Sequence, residues 1–278
     1  MFKKFSQQKK WQLVIYALLL LAVIVVMVML RNCGSEDTIV GVHPRTDKVS
    51  GGDTIDVAIE YSPISYYTYG DTLGGFNYEF LQLLSSSSGI HFKYHPIVSL
   101  QTGLKGLNNG NYDVMAAQFP VTRENKESYL FTTAIYLDNQ VLVQRNDEGI
   151  AINSQLDLAG DTVNIVKDSP MRDRIMSLSR EIGDTIYVIQ DSVYGPEQLF
   201  LMVSTGDIKY AVINESIAKK LASSHPNVDV SQAISFTQFQ SLTLAKRDKE
   251  LCNKLNEAIL KVKKMPQYIE LLQKYFTQ

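Results

Sequence analysis

Residues 106–145 read GLNNGNYDVMAAQFPVTRENKESYLFTTAIYLDNQVLVQR. The helical pattern LQTGLKGLNNG (100–110) runs into this stretch and stops at Gly110, a residue suited to the left-handed conformation that closes a helix. YDVMAAQ (112–118) then predicts a strand, and a polar loop around Thr122 follows. Near 138–145 the chain crosses from one structural unit into another.

Working outward, short β-rich runs alternate with helical patterns, which is the signature of α/β architecture. Upstream, IDVAIEY (55–61) and HFKYHPIV (91–98) predict strands. FNYEFLQLL (76–84) places Phe76, Phe80, Leu83 and Leu84 on one helical face. That helix is expected to stop at Ser85–Ser88 and Gly89, residues that favour caps and turns. Downstream, TVNIVK (162–167), TIYVIQ (185–190) and YAVIN (210–214) predict strands. MRDRIMSLSREIG (171–183), PEQLFLMVSTG (196–206) and ESIAKKLASS (215–224) predict the helices between and after them. From Lys249 to Phe276 two helices are divided at Pro266. The result is two βαβαβ-like units joined twice, near 138–145 and near 234–244. Two lobes with two crossovers imply a hinge, with ligand in the cleft beside strand C-termini and helix N-termini. The expected division is 55–140 with 236–278 returning to the first lobe, and 141–235 for the second.

The composition agrees with a folded exported domain. Of 278 residues, 45% are hydrophobic and 20% charged, which suits a globular core and excludes a disordered chain. Residues 1–31 hold five of the 27 basic residues and no acid, leaving 22 basic against 29 acidic residues beyond them, a net of −7. So acidic a remainder excludes a nucleic-acid partner, which needs a basic track for phosphates. Two cysteines, neither in a metal-ligand spacing, exclude a disulfide framework and a thiolate zinc site.

Residues 12–30, QLVIYALLLLAVIVVMVML, form an uncharged run that nearly spans a hydrocarbon core of about 30 Å. Lys3, Lys4, Lys9 and Lys10 precede it, so residues 1–11 read as a cytoplasmic basic tail and everything after Arg31 as lying outside. The run ends in Met-Leu-Arg-Asn-Cys rather than in the small residues of a cleavage site, so the reading is an uncleaved signal anchor in the cytoplasmic (inner) membrane. The alternative is a lipoprotein acylated at Cys33. Residues 31–54 read as a tether.

GGFNYEFLQLL (74–84) and the 106–145 block resemble the first-helix motif and the central block of the family 3 extracellular solute-binding proteins. LFLMVSTGDIKYAVINESIAKKL (199–221) and HPNVDVSQAISFTQFQSLTLAKRD (225–248) are similar to the non-catalytic module of the membrane-bound lytic murein transglycosylases. The resemblance covers about residues 55–278. It implies a two-lobed type II periplasmic-binding-protein fold with an interlobe cleft, preceded here by the transmembrane helix. It further implies a small polar ligand, amino-acid-like, peptide or cell-wall fragment. The partners it implies are an ABC transporter permease or a cell-wall enzyme, and it implies no cofactor.

The resemblance also places the candidate ligand contacts. Amino-acid binders of the family clamp the ligand carboxylate with an Arg three residues after the loop threonine. Aligned on Thr122, that position is Asn125, with Arg123 two residues early. The Asp that usually holds the ligand ammonium corresponds to Asn214, or to Glu215 if the register slips by one. Charge-assisted bonds of this kind are worth about 1.5–3 kcal/mol each, so losing both disfavours a standard free amino acid. Ser169, with Arg172 one turn on, lies where a strand meets a helix and offers a hydroxyl to an anion or carbonyl; the alternative is a capping turn at Asp168. Tyr61 leaves its strand where family members stack a ligand on an aromatic face, the other possibility being plain packing. Tyr136 and Gln140 flank the first crossover, and Glu79 reads as structural. The chain has no GxSxG elbow, HExxH helix or P-loop, and its four histidines are scattered, so a binding protein is expected and not an enzyme. The rival reading is an enzyme or enzyme subunit of the same fold, dehydratase-like or accessory to a lytic transglycosylase. A cleft carboxylate with a raised pKa would favour it.

Overall fold

Ile55–Glu60 (β1) is buried on both faces because its apolar residues pack against helices on either side of a mixed sheet, in which both of its own neighbours run parallel to it. The computed structural model describes residues 54–278 except 147–150, 168, 194, 277 and 278, together with residues 11, 15–21, 23 and 27. The chain divides into two units, Met1–Thr46 and Asp47–Gln278. In the first, the described residues are helical and exposed. Among the described residues no helix is long and apolar enough to cross a membrane. The rest of the expected 12–30 anchor, with the 1–10 tail and the 31–53 tether, lies outside the described residues.

In the second unit β1 is followed by the hairpin β2 (Tyr67–Tyr69) and β3 (Thr72–Gly74), then α1 (Phe76–Ser88), β4 (Phe92–Ile97), α2 (Leu100–Asn109) and β5 (Val114–Ala116). A short helix α3 (Arg123–Ser128) leads into β6 (Tyr129–Phe131), β7 (Tyr136–Asp138) and β8 (Gln140–Arg145). Next come β9 (Thr162–Val166), α4 (Met171–Ile182), β10 (Tyr187–Asp191), α5 (Pro196–Thr205), β11 (Ala211–Asn214) and α6 (Glu215–Ala222). The chain ends with β12 (Val228–Asp229), β13 (Gln238–Gln240), β14 (Thr243–Ala245), α7 (Lys249–Val262) and α8 (Pro266–Phe276).

Two five-stranded sheets result, ordered β4-β1-β5-β14-β6 and β10-β9-β11-β8-β12. The chain passes from the first sheet to the second through β7 and returns through β13. These two strands pair antiparallel, Asp138 opposite Gln238 and Tyr136 opposite Gln240. Because directly opposed residues share a face, Tyr136, Asp138, Gln238 and Gln240 line one side of this ribbon, while Leu137 and Phe239 stand exposed on the other.

The returning C-terminus completes the first lobe. Phe76 stacks on Phe80 and meets Tyr136, Tyr275 and Phe276 edge-on. Burying each such ring stabilises the fold by about 1.5–3 kcal/mol. Glu79 is indeed held structurally: Lys274 pairs with it at 2.7 Å and the Tyr275 hydroxyl donates to it at 2.6 Å. Of the residues expected to stop α1, Gly89 does so in the left-handed conformation, but the serine run does not. Ser86, Ser87 and Ser88 turn their hydroxyls back onto the carbonyls of Leu83 and Leu84, so the helix continues until Gly89.

At the start of α1, Gly75 has φ +118°, and a Cβ there would collide with the Ser65 carbonyl oxygen. Gly89 has φ +71° with open space around it. Gly75→Ala is therefore expected to lower the urea-unfolding free energy by about 2–4 kcal/mol, and Gly89→Ala by only about 1 kcal/mol. Equal effects at the two glycines would contradict this account of how α1 is seated.

Candidate functional site

β1, β5, the hinge ribbon and the β11–α6 junction bring their ends to one place. β1 ends in Glu60, whose carboxylate accepts from the Gln118 backbone N–H at 3.3 Å. Gln118 follows β5 and donates its side-chain amide to Asp138 Oδ2 at 3.2 Å and to Ser216 Oγ at 3.5 Å. Asp138, on β7, also accepts from Ser216 Oγ at 2.5 Å, from Ser216 N at 3.2 Å and from Asn139 N at 2.9 Å. Asn214 Nδ2 reaches the same carboxylate at 3.5 Å. Residues from the first lobe, the second lobe and the hinge thus converge on two carboxylates.

The electrostatics follow from burial. Desolvation pushes Glu60 up to about 7, against the pull of the Gln118 N–H, and the nearby Asp138 charge adds to the rise. Asp138 is pushed up to about 6 by burial; its bonds to Ser216 and Asn139 oppose the shift and Glu215 reinforces it. Tyr136, behind them, is raised well above the usual phenol range, first by burial and then by Asp138 and Glu60. Among the described residues, no group of three or more His, Cys, Asp or Glu is placed to hold a metal ion.

Of the residues singled out from sequence, Asn214 joins this cluster and Tyr61 adjoins it. Tyr61 is 48% exposed and meets Tyr66 edge-on, with ring centroids 6.4 Å apart. Thr122 caps α3, its hydroxyl accepting from the Asn125 N–H at 3.1 Å. Asn125 turns its side-chain amide onto the Pro120 carbonyl at 2.9 Å, inside its own loop. Arg123 opens α3 and is exposed. In the second lobe, the Ser169 hydroxyl is buried and has no hydrogen-bond partner among the described residues, at the turn into α4. Arg172 is exposed, 3.9 Å from Asp173. Asp168 lies outside the described residues. Among the described residues, no hydrogen bond or ion pair joins Thr122, Arg123 or Asn125 to Ser169 or Arg172. Gln140 is buried in the hinge, its N–H bonded to Ser235 Oγ at 2.9 Å, and Tyr136 packs into the first-lobe core. Sequence reasoning missed Glu60, Gln118, Asp138 and Ser216 as a group. An acid at the end of a strand, and another in a crossover, were the available signals. A separate depression of about 440 Å³ on the second lobe is bordered by Gln155, Leu178, Glu181 and Gln232. Gln155 there is already bonded to Ala233, Ile234 and Arg174, which marks the depression as structural.

A two-lobed α/β architecture hinged by an antiparallel ribbon, with polar groups at the strand ends between the lobes, defines a ligand-closing binding fold. The family model of the bacterial extracellular solute-binding proteins, family 3, matches residues 54–278, and the chain belongs to that family. It is 24% identical over 271 residues to the arginine-binding extracellular protein ArtP of Bacillus subtilis, covering 97% of this chain and 98% of that one. It is also 23% identical over 261 residues to the membrane-bound lytic murein transglycosylase F of Photobacterium profundum. That match covers 92% of this chain, which spans about half (50%) of the transglycosylase's length. Among solved structures, an ancestral arginine-binding protein bound to glutamine superposes with a TM-score of 0.71 at 19% identity, covering 82% of this chain and all (100%) of that one. A histidine kinase sensor domain with similarity to periplasmic binding proteins gives 0.69 at 18% identity, covering 80% and 96%.

The raised carboxylates set a pH dependence of stability. A carboxyl whose folded pKa lies above its unfolded value stabilises the fold fully below the unfolded value, and that stability is lost as pH rises through the folded one. For Glu60 the window runs from 4.5 to about 7. In urea unfolding, Glu60→Gln is expected to match the wild type near pH 4.5 and to exceed it by about 2–3 kcal/mol at pH 8. The same difference at both pH values would contradict the assignment.

Proposed function

We propose that this protein is a receptor, anchored in the cytoplasmic membrane by residues 12–30, that closes its lobes on a small polar ligand outside that membrane. The Lys-rich tail then lies in the cytoplasm, and lipidation at Cys33 is the alternative mode of attachment. The family match over 54–278 and the full-length similarity to an arginine-binding protein support ligand capture. Delivery to an ABC transporter permease and sensing are both open to such a receptor; relatives of each kind share the fold. A cell-wall fragment as ligand, or a cell-wall enzyme as partner, draws its support from the transglycosylase relatives.

One observation carries the ligand reading: the two places where the family's amino-acid binders put opposite charges hold amides that are already engaged. Asn125 is bonded to Pro120 O, and Asn214 faces Asp138. A zwitterion would leave its carboxylate without a guanidinium at the family's clamp position, and an unmatched charge costs several kcal/mol to bury. Tyr61, Thr122, Arg123, Ser169 and Arg172 remain the proposed contacts around the cleft. Ser169 is the most telling of these, because its buried hydroxyl has no partner to give up among the described residues.

Glu60 favours a second reading, an enzyme of the same fold with dehydratase-like chemistry. A carboxyl held near pH 7 suits a general acid. Asp138 fits that role poorly, since Ser216 and Asn139 already occupy it.

The test uses the full chain, recovered from the membrane fraction and shown by intact mass to retain residues 12–30 without a lipid adduct. Calorimetric titration with the twenty common amino acids is expected to give dissociation constants weaker than about 100 μM, near −5.5 kcal/mol. A low-micromolar binder, weakened at least tenfold by Arg123→Ala, would overturn the ligand reading. Conversion of a titrated ligand into product would establish the enzyme.

A further inference from the structure

Two buried polar atoms of the second lobe, Gln140 Oε1 and Ser169 Oγ, have no hydrogen-bond partner among the described residues. Gln140 opens β8 and is only 1% exposed. It stands opposite Asn214, the last residue of β11, in antiparallel register, so the two side chains share one face and one end of the sheet. That face is the one α4 covers. Leu142, two residues on, packs with Met171 and Ile175 of α4, and Gln144 bonds to Ile152 of the same cluster. That end is also where α4 begins, because β9 runs parallel to β11 and passes into α4 through Ser169. Arg174 then pins the first turn of α4 beside Gln140. Its Nε donates to the Ile234 carbonyl at 2.8 Å, and the Ile234 N–H donates to the Gln140 carbonyl at 2.8 Å. The Gln140 side chain is therefore aimed under the start of α4.

The backbone of Gln140 is fully engaged, its N–H with Ser235 Oγ and its C=O with Ile234, so only its side chain is idle. A buried amide oxygen without a donor is costly, and folded proteins rarely keep one without a use. Asn214 does not serve it, since its amide nitrogen turns to Asp138 at 3.5 Å. Ser169 does not serve it either, although a hydroxyl could donate to that oxygen. Ser169 is half-buried as a residue while its hydroxyl is sealed off, so the recess meets solvent at this turn. The charge a guest can carry is limited from both sides. A carboxylate would set its negative oxygens against Gln140 Oε1, and an ammonium would face the positive end of α4. A neutral group with one N–H and one C=O suits both atoms.

We propose that Gln140 is a specificity residue: with Ser169 it holds one uncharged secondary amide of the ligand, whose N–H donates to Gln140 Oε1 and whose C=O accepts from Ser169 Oγ. The inference rests on the reading of the ligand as lacking a zwitterion's charges, and it names the chemical group that the second lobe selects. Such amides occur in peptide units and in N-acetylated sugars. Replacing the N–H by oxygen leaves a buried acceptor unpaired, so the site discriminates against the ester by roughly tenfold.

The experiment is calorimetric titration of the full chain in detergent with two neutral probes, N-acetyl-alanine N-methylamide and N-acetylglucosamine. Each is paired with the ester in which oxygen replaces every N–H of its amides. The expected result is a roughly tenfold preference for the amide in at least one pair, and the pair that shows it tells a peptide unit from an acetylated sugar. Gln140→Met should bring the amide down to the level of its ester. Ser169→Ala should weaken amide and ester alike and keep the preference, since both retain the carbonyl. No preference in either pair, with or without measurable binding, would overturn the proposal, and so would a preference that survives in Gln140→Met. Unfolding in urea supplies a check without any probe. Gln140→Met should keep or raise the wild-type midpoint, whereas a lowered midpoint would show that the amide is satisfied within the fold, by protein or by water, and would also overturn the proposal. A free amino acid bound at low micromolar concentration through Arg123 refutes the uncharged-ligand reading itself. Loss of the amide preference while amino acids stay weak refutes only the role of Gln140.

Discussion

The Asp138 carboxylate is 3% exposed, and it is the point to which both lobes and the hinge are tied. A buried carboxylate is tolerated only where hydrogen bonds replace its lost hydration. Here the replacements come from every direction: Ser216 at the start of α6, Asn139 on the hinge, Asn214 at the end of β11 and Gln118 from the first lobe. Removing any one donor leaves the charge less satisfied, and this asymmetry fixes how β7 enters the second lobe. The ribbon's register follows, because Asp138 must stay on the inner face with Tyr136 while Leu137 takes the outer one. Glu60 is brought close as a consequence, and its own charge is then hard to keep. Two acids raised by burial therefore sit where the strand ends of both lobes meet the hinge.

A second tie crosses the lobes on the side of α6. Lys220 bonds to Pro63 O and lies over Tyr67 and Tyr275. Tyr275 in turn accepts from the Gly75 N–H and donates to Glu79. The C-terminal helix thus does more than cover the first lobe. It holds the start of α1 and offers the ring against which the second lobe's lysine rests. A ligand that stabilises closure works on an interface already bridged at two places, so modest differential affinity is enough to shift the populations.

The parts of the fold legible in the sequence were those with a sustained period. The apolar face of α1 and the runs of β1 and β9 could be read because burial of one stripe or both faces repeats over many residues. The three-residue strands β6, β7, β13 and β14 are shorter than any period, and their pairing is set by partners about 100 to 130 residues away. Glu79 looked partnerless because Lys274 and Tyr275 lie nearly two hundred residues further on. The site divided in the same way. Asn125 and Asn214 were found because the resemblance assigns their positions. Glu60, Gln118 and Asp138 carry no local signal that they meet, since only the two crossovers bring the end of β1, the end of β5 and the hinge together. The serine run failed for a different reason: hydroxyls that favour caps also bond back to helical carbonyls, and here the second use prevails.

The central claim is that Asp138 and Ser216 form one coupled unit joining hinge to second lobe, and a double-mutant cycle measures it most directly. Urea unfolding of the full chain, Asp138→Ala, Ser216→Ala and the double variant gives the coupling energy. Hydrogen bonds to a buried charge predict a coupling of about 1.5–3 kcal/mol. Effects that simply add, with a coupling below about 0.5 kcal/mol, would contradict the account.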